Sequence, residues 1–402
     1  MAKSATRKKP SKSDNVASKP ASKPAGRAVT KPGTKLGNLP GWDLNDLYPG
    51  LESPALKRDL EIIATQSAAF EADYKGKLAA LAAVPSAPGL LAAVKRYEAL
   101  SDVLGRIGSY SGLLHATDST NQTYSKFYGD MSERITNAFS HLLFFDLEIN
   151  RIDDAVLEAA LADPALRHYK PWFDDVRLEK PYQLEDRVEE LFHEKSLTGY
   201  SAWNRQYDDI VASLRFKIGG KVLGIEQALN FMQDADGKKR KAAAEALGKT
   251  FKENLRPFTL ITNTLAKDKE ISDRWRGFKD VAASRHLANR VEPEVVEALV
   301  SSVRAAYPKL SHRYYALKAR WFGKKSLAYW DRNAPLPQVA QRTIPWTDAR
   351  ATVLTAYGAF SPRMAEVADT FFEKNWIDAP VRAGKQPGAF AHPTVPSAHP
   401  YV

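Results

Sequence analysis

The chain of 402 residues contains no cysteine, and that absence removes several chemistries at once. No disulfide framework, thiolate nucleophile, or Cys-ligated zinc or iron–sulfur centre is possible within it. Any metal would have to be held by His and carboxylate side chains. Long apolar runs are missing too, since nothing approaches the roughly 18 residues that read as a membrane span. The opening "MAKSATRKKPSKSDNVASKPASKPAGRAVTKPGTKLG" lacks the apolar middle region of a secretory signal. Its density of Pro and Lys also spoils the amphipathic helix of an organelle transit peptide. These absences predict a cytoplasmic protein with no membrane partner.

Acidic residues are scarce in one place only. The net charge is +11, yet residues 1–38 hold ten Lys and Arg against Asp14 alone, a local +9 that leaves +2 for the body. A Lys/Pro/Ala/Ser segment with almost no aliphatic side chains cannot offset its ordering entropy by burial, so 1–38 reads as a disordered basic tail. Weak, salt-sensitive contact with polyanions is open to such a tail. No specific nucleic-acid partner is expected of the near-neutral body.

What is present is helical periodicity. In "GLLAAVKRYEALSDVLGRIGSYSGLLH", Leu90, Val94, Tyr97, Leu100, Leu104, Ile107, Tyr110 and Leu114 recur every three or four residues and share one helix face. Gly105, Gly108 and Gly112 either admit a closely packed helix or loosen their own. In "EVVEALVSSVRAAYPKLSHRYYALKARWFG" the apolar stripe runs from Val296 through Leu299, Val303, Tyr307, Leu310, Tyr314 and Leu317 to Trp321. Pro308 interrupts it, which predicts two helices with the proline in the first turn of the second. Similar patterns fill 53–80, 121–162, 183–215, 225–274 and 345–376. Two departures stand out. "RFKIGGKVLG" places Gly219 and Gly220 between short β-capable runs, a tight hairpin near 215–223, and "KSLAYWDRNAPLP" joins two helical stretches. The fold class is mainly α.

Several motifs begin and fail. "HEKSL" starts like the zinc-protease HExxH, but Leu197 stands where the second His belongs, and His193 and Glu194 point about 100° apart on a helix. It reads as a solvated helical face. "DADG" at 234–237 puts Met232 and Ala243 at calcium-ligand positions, so it reads as a turn before a helix. "GGK" at 219–221 lacks phosphate-loop spacing, and no Gly-x-Ser-x-Gly elbow exists.

His392 and His399 each precede a proline, which pushes the backbone into the extended region; Pro393, Pro396 and Pro400 confine 388–402 to an extended edge strip. Such a strip can offer amides and carbonyls to an extended peptide, or the two imidazoles can be structural. As zinc ligands they are poor, having no third His or carboxylate nearby.

In order along the chain, "LPGWDLNDLYPGLESPALKRDL", "HEKSLTGYSAWNRQYDDIVASLRFKIGGKVLGIEQALNFMQDADGKKRKAAAEAL", "SRHLANRVEPEVVEALVSSV", "AYWDRNAPLP" and "GAFAHPTVPSAHPYV" resemble oligoendopeptidase F, of the thimet oligopeptidase-like zinc metallopeptidases. The resemblance runs from about Leu39 to Val402. It implies a helical, two-part ellipsoid with an internal channel in which short unstructured peptides, the expected partners, are cut. It also implies that the 388–402 strip, with His392, His399 and Tyr401, borders the bound peptide. In that family the HExxH helix follows this strip, so no catalytic or zinc-binding residue can be carried onto positions 1–402, and the one zinc ion is expected to bind downstream. The implied organisation is a basic tail at 1–38, an amino-terminal helical domain at 39–195, and at 196–402 the first part of a peptidase domain cut short before its zinc helix. A non-catalytic peptide-binding module and a helical scaffold tethered to nucleic acid by its tail are the other readings.

Overall fold

Helices start where the sequence supplies a cap. The computed structural model describes residues 36–337 and 342–402, so nearly all of the segment read as a basic tail lies outside the described residues. Ser53 accepts from the Leu56 amide ahead of Pro54, Asn121 accepts from the Thr123 and Tyr124 amides, and Asp236 accepts from Lys238. Each satisfies an amide that the first helical turn leaves without a partner. "DADG" is thus the cap of a helix, as its spacing implied.

The first half contains α1 (Pro54–Tyr74), α2 (Leu78–Ala82), α3 (Pro88–Thr117), α4 (Gln122–Ser140), α5 (Leu143–Arg151), α6 (Asp154–Ala160), α7 (Pro164–Arg167), α8 (Lys170–Arg177) and α9 (Asp186–Lys195). The second contains α10 (Tyr200–Ser213), strands β1 (Phe216–Ile218) and β2 (Lys221–Leu223), α11 (Ile225–Phe231), α12 (Gly237–Glu253), α13 (Leu255–Arg276) and α14 (Ala283–Ala288). After these come α15 (Pro293–Ala306), α16 (Ser311–Trp321), α17 (Trp346–Phe360) and α18 (Pro362–Glu373). The chain is mostly helical, with the predicted antiparallel hairpin in register Phe216 to Leu223. Gly219 and Gly220, at φ 56° and 77°, turn it as two successive left-handed residues must. Pro308 does separate two helices, but it sits in the connecting turn: α16 starts only at Ser311.

Two cores form. The larger draws on α1 to α8, and Leu90, Val94, Leu100, Leu104, Ile107 and Tyr110 of the α3 stripe all enter it. The smaller is built around the hairpin, from Leu214, Phe216, Ile218, Ala228, Ala243 and Leu247. Arg276 of α13 clasps Glu189 of α9 with two hydrogen bonds of 2.7 Å, tying the halves together. Near the smaller core, Arg240 and Asp331 are almost wholly buried and bonded at 2.7 Å, with Lys324 on the other carboxylate oxygen. Burial alone would raise the Asp331 carboxyl, but the Lys324 and Arg240 bonds outweigh it and hold it below the usual range. Among the described residues no helix is long and apolar enough to cross a membrane.

Candidate functional site

The terminal strip does not lie open as an unpaired edge. It folds back on itself: the His392 amide donates to the Tyr401 carbonyl at 2.7 Å and the Tyr401 amide returns the bond at 2.9 Å. Val402 pairs with the Trp376 carbonyl, and its own carbonyl accepts from Asp378 and from the Trp42 indole. Prolines 393, 396 and 400 carry no amide hydrogen, and the amides of residues 388, 392, 397, 398, 401 and 402 are bonded inside the protein. The expected supply of free amides is therefore reduced, because the strip satisfies its own donors.

The three predicted residues go to different places. Tyr401 is fully buried in the larger core, its hydroxyl donating to the Asp43 carbonyl at 3.0 Å. Burial pushes its phenol above the ordinary range, and Asp46 and Asp43 add to this. The His399 ring stacks on Trp376 with centroids 3.5 Å apart, and its Nε2 lies 3.1 Å from an Asp46 carboxylate oxygen. His392 is the one beside open space. Its Nε2 is 2.9 Å from Ser109 Oγ, and burial lowers its pKa, favouring the neutral ring. The structure thus groups His399 and Tyr401, whose rings are 4.7 Å apart, and sets His392 facing a cleft.

Packing against α3 holds the strip. Val395 is buried over Gly105, where an added Cβ would stand 2.5 Å from Val395 Cγ1. Gly105 therefore admits the strip, whereas Gly108 faces Ile135 of α4 at ordinary contact distance. Ser397 donates to Asp102, which also accepts from Arg106; these bonds outweigh burial and keep the Asp102 carboxyl low.

The cleft lies between α3, α4, α10 and the strip, in two adjoining parts of about 290 and 300 Å³ that share His115, Tyr128 and Arg205. His115 and Tyr128 stack at 4.9 Å with rings 14° from parallel. Burial lowers the His115 pKa and raises that of Asp208. Phe390, with its ring 5.8 Å from that of Trp42, closes one side. Sequence reasoning missed Arg205, Asp208 and Asp209, because charges three and four residues apart on one helix read as a solvated face.

No metal geometry accompanies the cleft. Among the described residues no group of three or more His, Asp or Glu side chains is placed to hold an ion. His193 is half-buried between helices, its Nε2 3.2 Å from the Thr136 carbonyl and its ring 5.2 Å from Phe139. That corrects the expectation of a solvated face: the imidazole is a helix contact. The described residues do not fit a zinc ion.

A family model described as "Oligopeptidase F" matches residues 148–216. Group B oligopeptidase PepB of Streptococcus agalactiae is 24% identical over 300 residues, which is 73% of this chain and 49% of that protein. An oligoendopeptidase F homolog of Borreliella burgdorferi is 22% identical over 304 residues, 74% of this chain and 50% of that one. The chain spans about half the length of these curated relatives. Among solved structures, oligoendopeptidase-F from Enterococcus faecium shares the fold with a TM-score of 0.65 at 18% identity, covering 79% of this chain and 65% of the other. The helical architecture, the family-model match over residues 148–216 and these relatives all liken this chain to the oligoendopeptidase F family.

Proposed function

We propose that these 402 residues are the amino-terminal part of a zinc metalloendopeptidase that hydrolyses short oligopeptides, with the zinc site and its general base supplied by residues outside them. The observation that carries this reading is the match to two curated oligopeptidase relatives of which the chain covers only about half. The role left to this part is to wall a channel and restrict by steric access which peptides enter. The chemistry of a zinc ion would then belong to those further residues and not to the side chains described here. The purified chain is expected to leave a quenched fluorogenic peptide intact; hydrolysis that a chelator abolishes would overturn this. Reading the coding frame beyond the Val402 codon gives a second test, with an HExxH helix as the supporting result.

A second reading is favoured by the open cleft itself: a helical module that binds peptides without cutting them. It predicts a stop codon directly after Val402 together with retained peptide affinity.

A further inference from the structure

The cleft holds charges that the protein does not neutralise. Arg205 and Asp209 stand four residues apart on α10, a spacing that commonly gives an ion pair, yet both face the cleft without one forming. Arg205 instead reaches across to α4, where Gly129 leaves room for it; a Cβ there would sit 3.5 Å from Nη1. Asp208, one turn from Arg205, is half-buried with no hydrogen-bond donor among the described residues, and burial penalises its charge. A lone anion entering here would meet Asp208 and Asp209, and a lone cation would meet Arg205. The complement of such a wall is a ligand carrying both signs.

We propose that this cleft binds the two charged ends of a very short peptide, with Arg205 on the carboxylate, Asp208 and Asp209 on the ammonium, and the His115–Tyr128 stack and Phe390 against its side chains. The spacing agrees. Side chains four apart on a helix have Cβ atoms about 5–6 Å apart, close to the separation of the charged ends of an extended dipeptide, whose Cα atoms are about 3.8 Å apart with one further bond at each end. The guanidinium fork matches a carboxylate in two parallel hydrogen bonds. The choice of a peptide as the zwitterion rests on the proposed function.

Calorimetric titration of the 402-residue chain with the dipeptide Ala-Phe tests it, alongside N-acetyl-Ala-Phe and Ala-Phe-amide. Ala-Phe is expected to bind, each cap to weaken binding about tenfold or more, and Arg205→Gln to reproduce the loss caused by the amide. Asp208→Asn with Asp209→Asn is expected to reproduce the loss caused by the acetyl group. Arg205 and Asp209 are exposed, so these variants should fold, and near-ultraviolet circular dichroism checks that they do. Absence of Ala-Phe binding at millimolar concentration overturns the proposal. So does binding indifferent to the caps or to Arg205→Gln. Neither result touches the fluorogenic or coding-frame tests, so failure of the site and failure of the peptidase reading are told apart.

Discussion

Asp146 shows how one side chain can set a pH response. It lies on α5 among the aromatic rings of the larger core, with Tyr97 donating to one oxygen at 3.3 Å and no partner for the other. Burial pushes its pKa up from 3.8 to about 6, the Tyr97 bond offsetting only part of this. The folded carboxyl therefore holds its proton more tightly than the unfolded one, and this group costs the protein stability as pH rises from about 4 to about 6. Asp146→Asn keeps the shape and removes the charge. It is expected to be more stable than the parent at pH 7, by at most about 3 kcal/mol, and to match it more nearly at pH 4. Denaturant unfolding of both proteins at the two pH values checks this, and a constant difference would refute it. Nothing in the sequence marks Asp146, whose neighbours come from α3 and α5. His392 and His399 could be singled out only because a following proline limits the backbone, which is a local property.

Elements were the most legible level, because a helix advertises its buried face through local spacing. The α3 stripe and the Gly-Gly hairpin follow from periodicity and turn chemistry alone. What spacing could not supply is which elements meet. The clasp between α9 and α13 joins Glu189 and Arg276, residues 87 apart in the chain. Burial would raise the Glu189 carboxyl, but the Arg276 bonds and the Leu184 amide outweigh it and lower its pKa. The stability it contributes is therefore present above the unfolded value near 4 and lost as pH falls below it. Arg276→Met leaves that buried carboxylate uncompensated and is expected to cost about 2–3 kcal/mol, under the range for fully buried pairs because Arg276 keeps some exposure. Restoring much of that loss with Glu189→Gln in the same chain would identify the pair as the cause. A double variant no better than Arg276→Met would assign the loss to packing of the arginine stem. The cleft was illegible for the same reason as the clasp: α3, α4, α10 and the strip are far apart in sequence, and no single segment carries the signal.

At the scale of the molecule, the apolar stripe of α15 faces solvent. No residue of α15, α17 or α18 is buried, and Leu299, Leu310 and Phe360 are 63%, 67% and 83% exposed. Periodicity announces a face that wants burial, but it cannot say what provides it. Each Leu left in water forgoes roughly 1.5–3 kcal/mol of burial, and contiguous patches of this kind drive association. The 402-residue chain is therefore expected to self-associate with rising concentration in sedimentation velocity and to bind an apolar dye. Replacing Leu299 and Val303 with Glu should suppress both while leaving the thermal midpoint nearly unchanged, since neither side chain is buried in the chain by itself. A concentration-independent monomer that ignores the dye would show that the stripe is harmless in water. Association unchanged by the two substitutions would move the sticky surface to α17 and α18, where Phe360, Met364 and Val367 are also exposed.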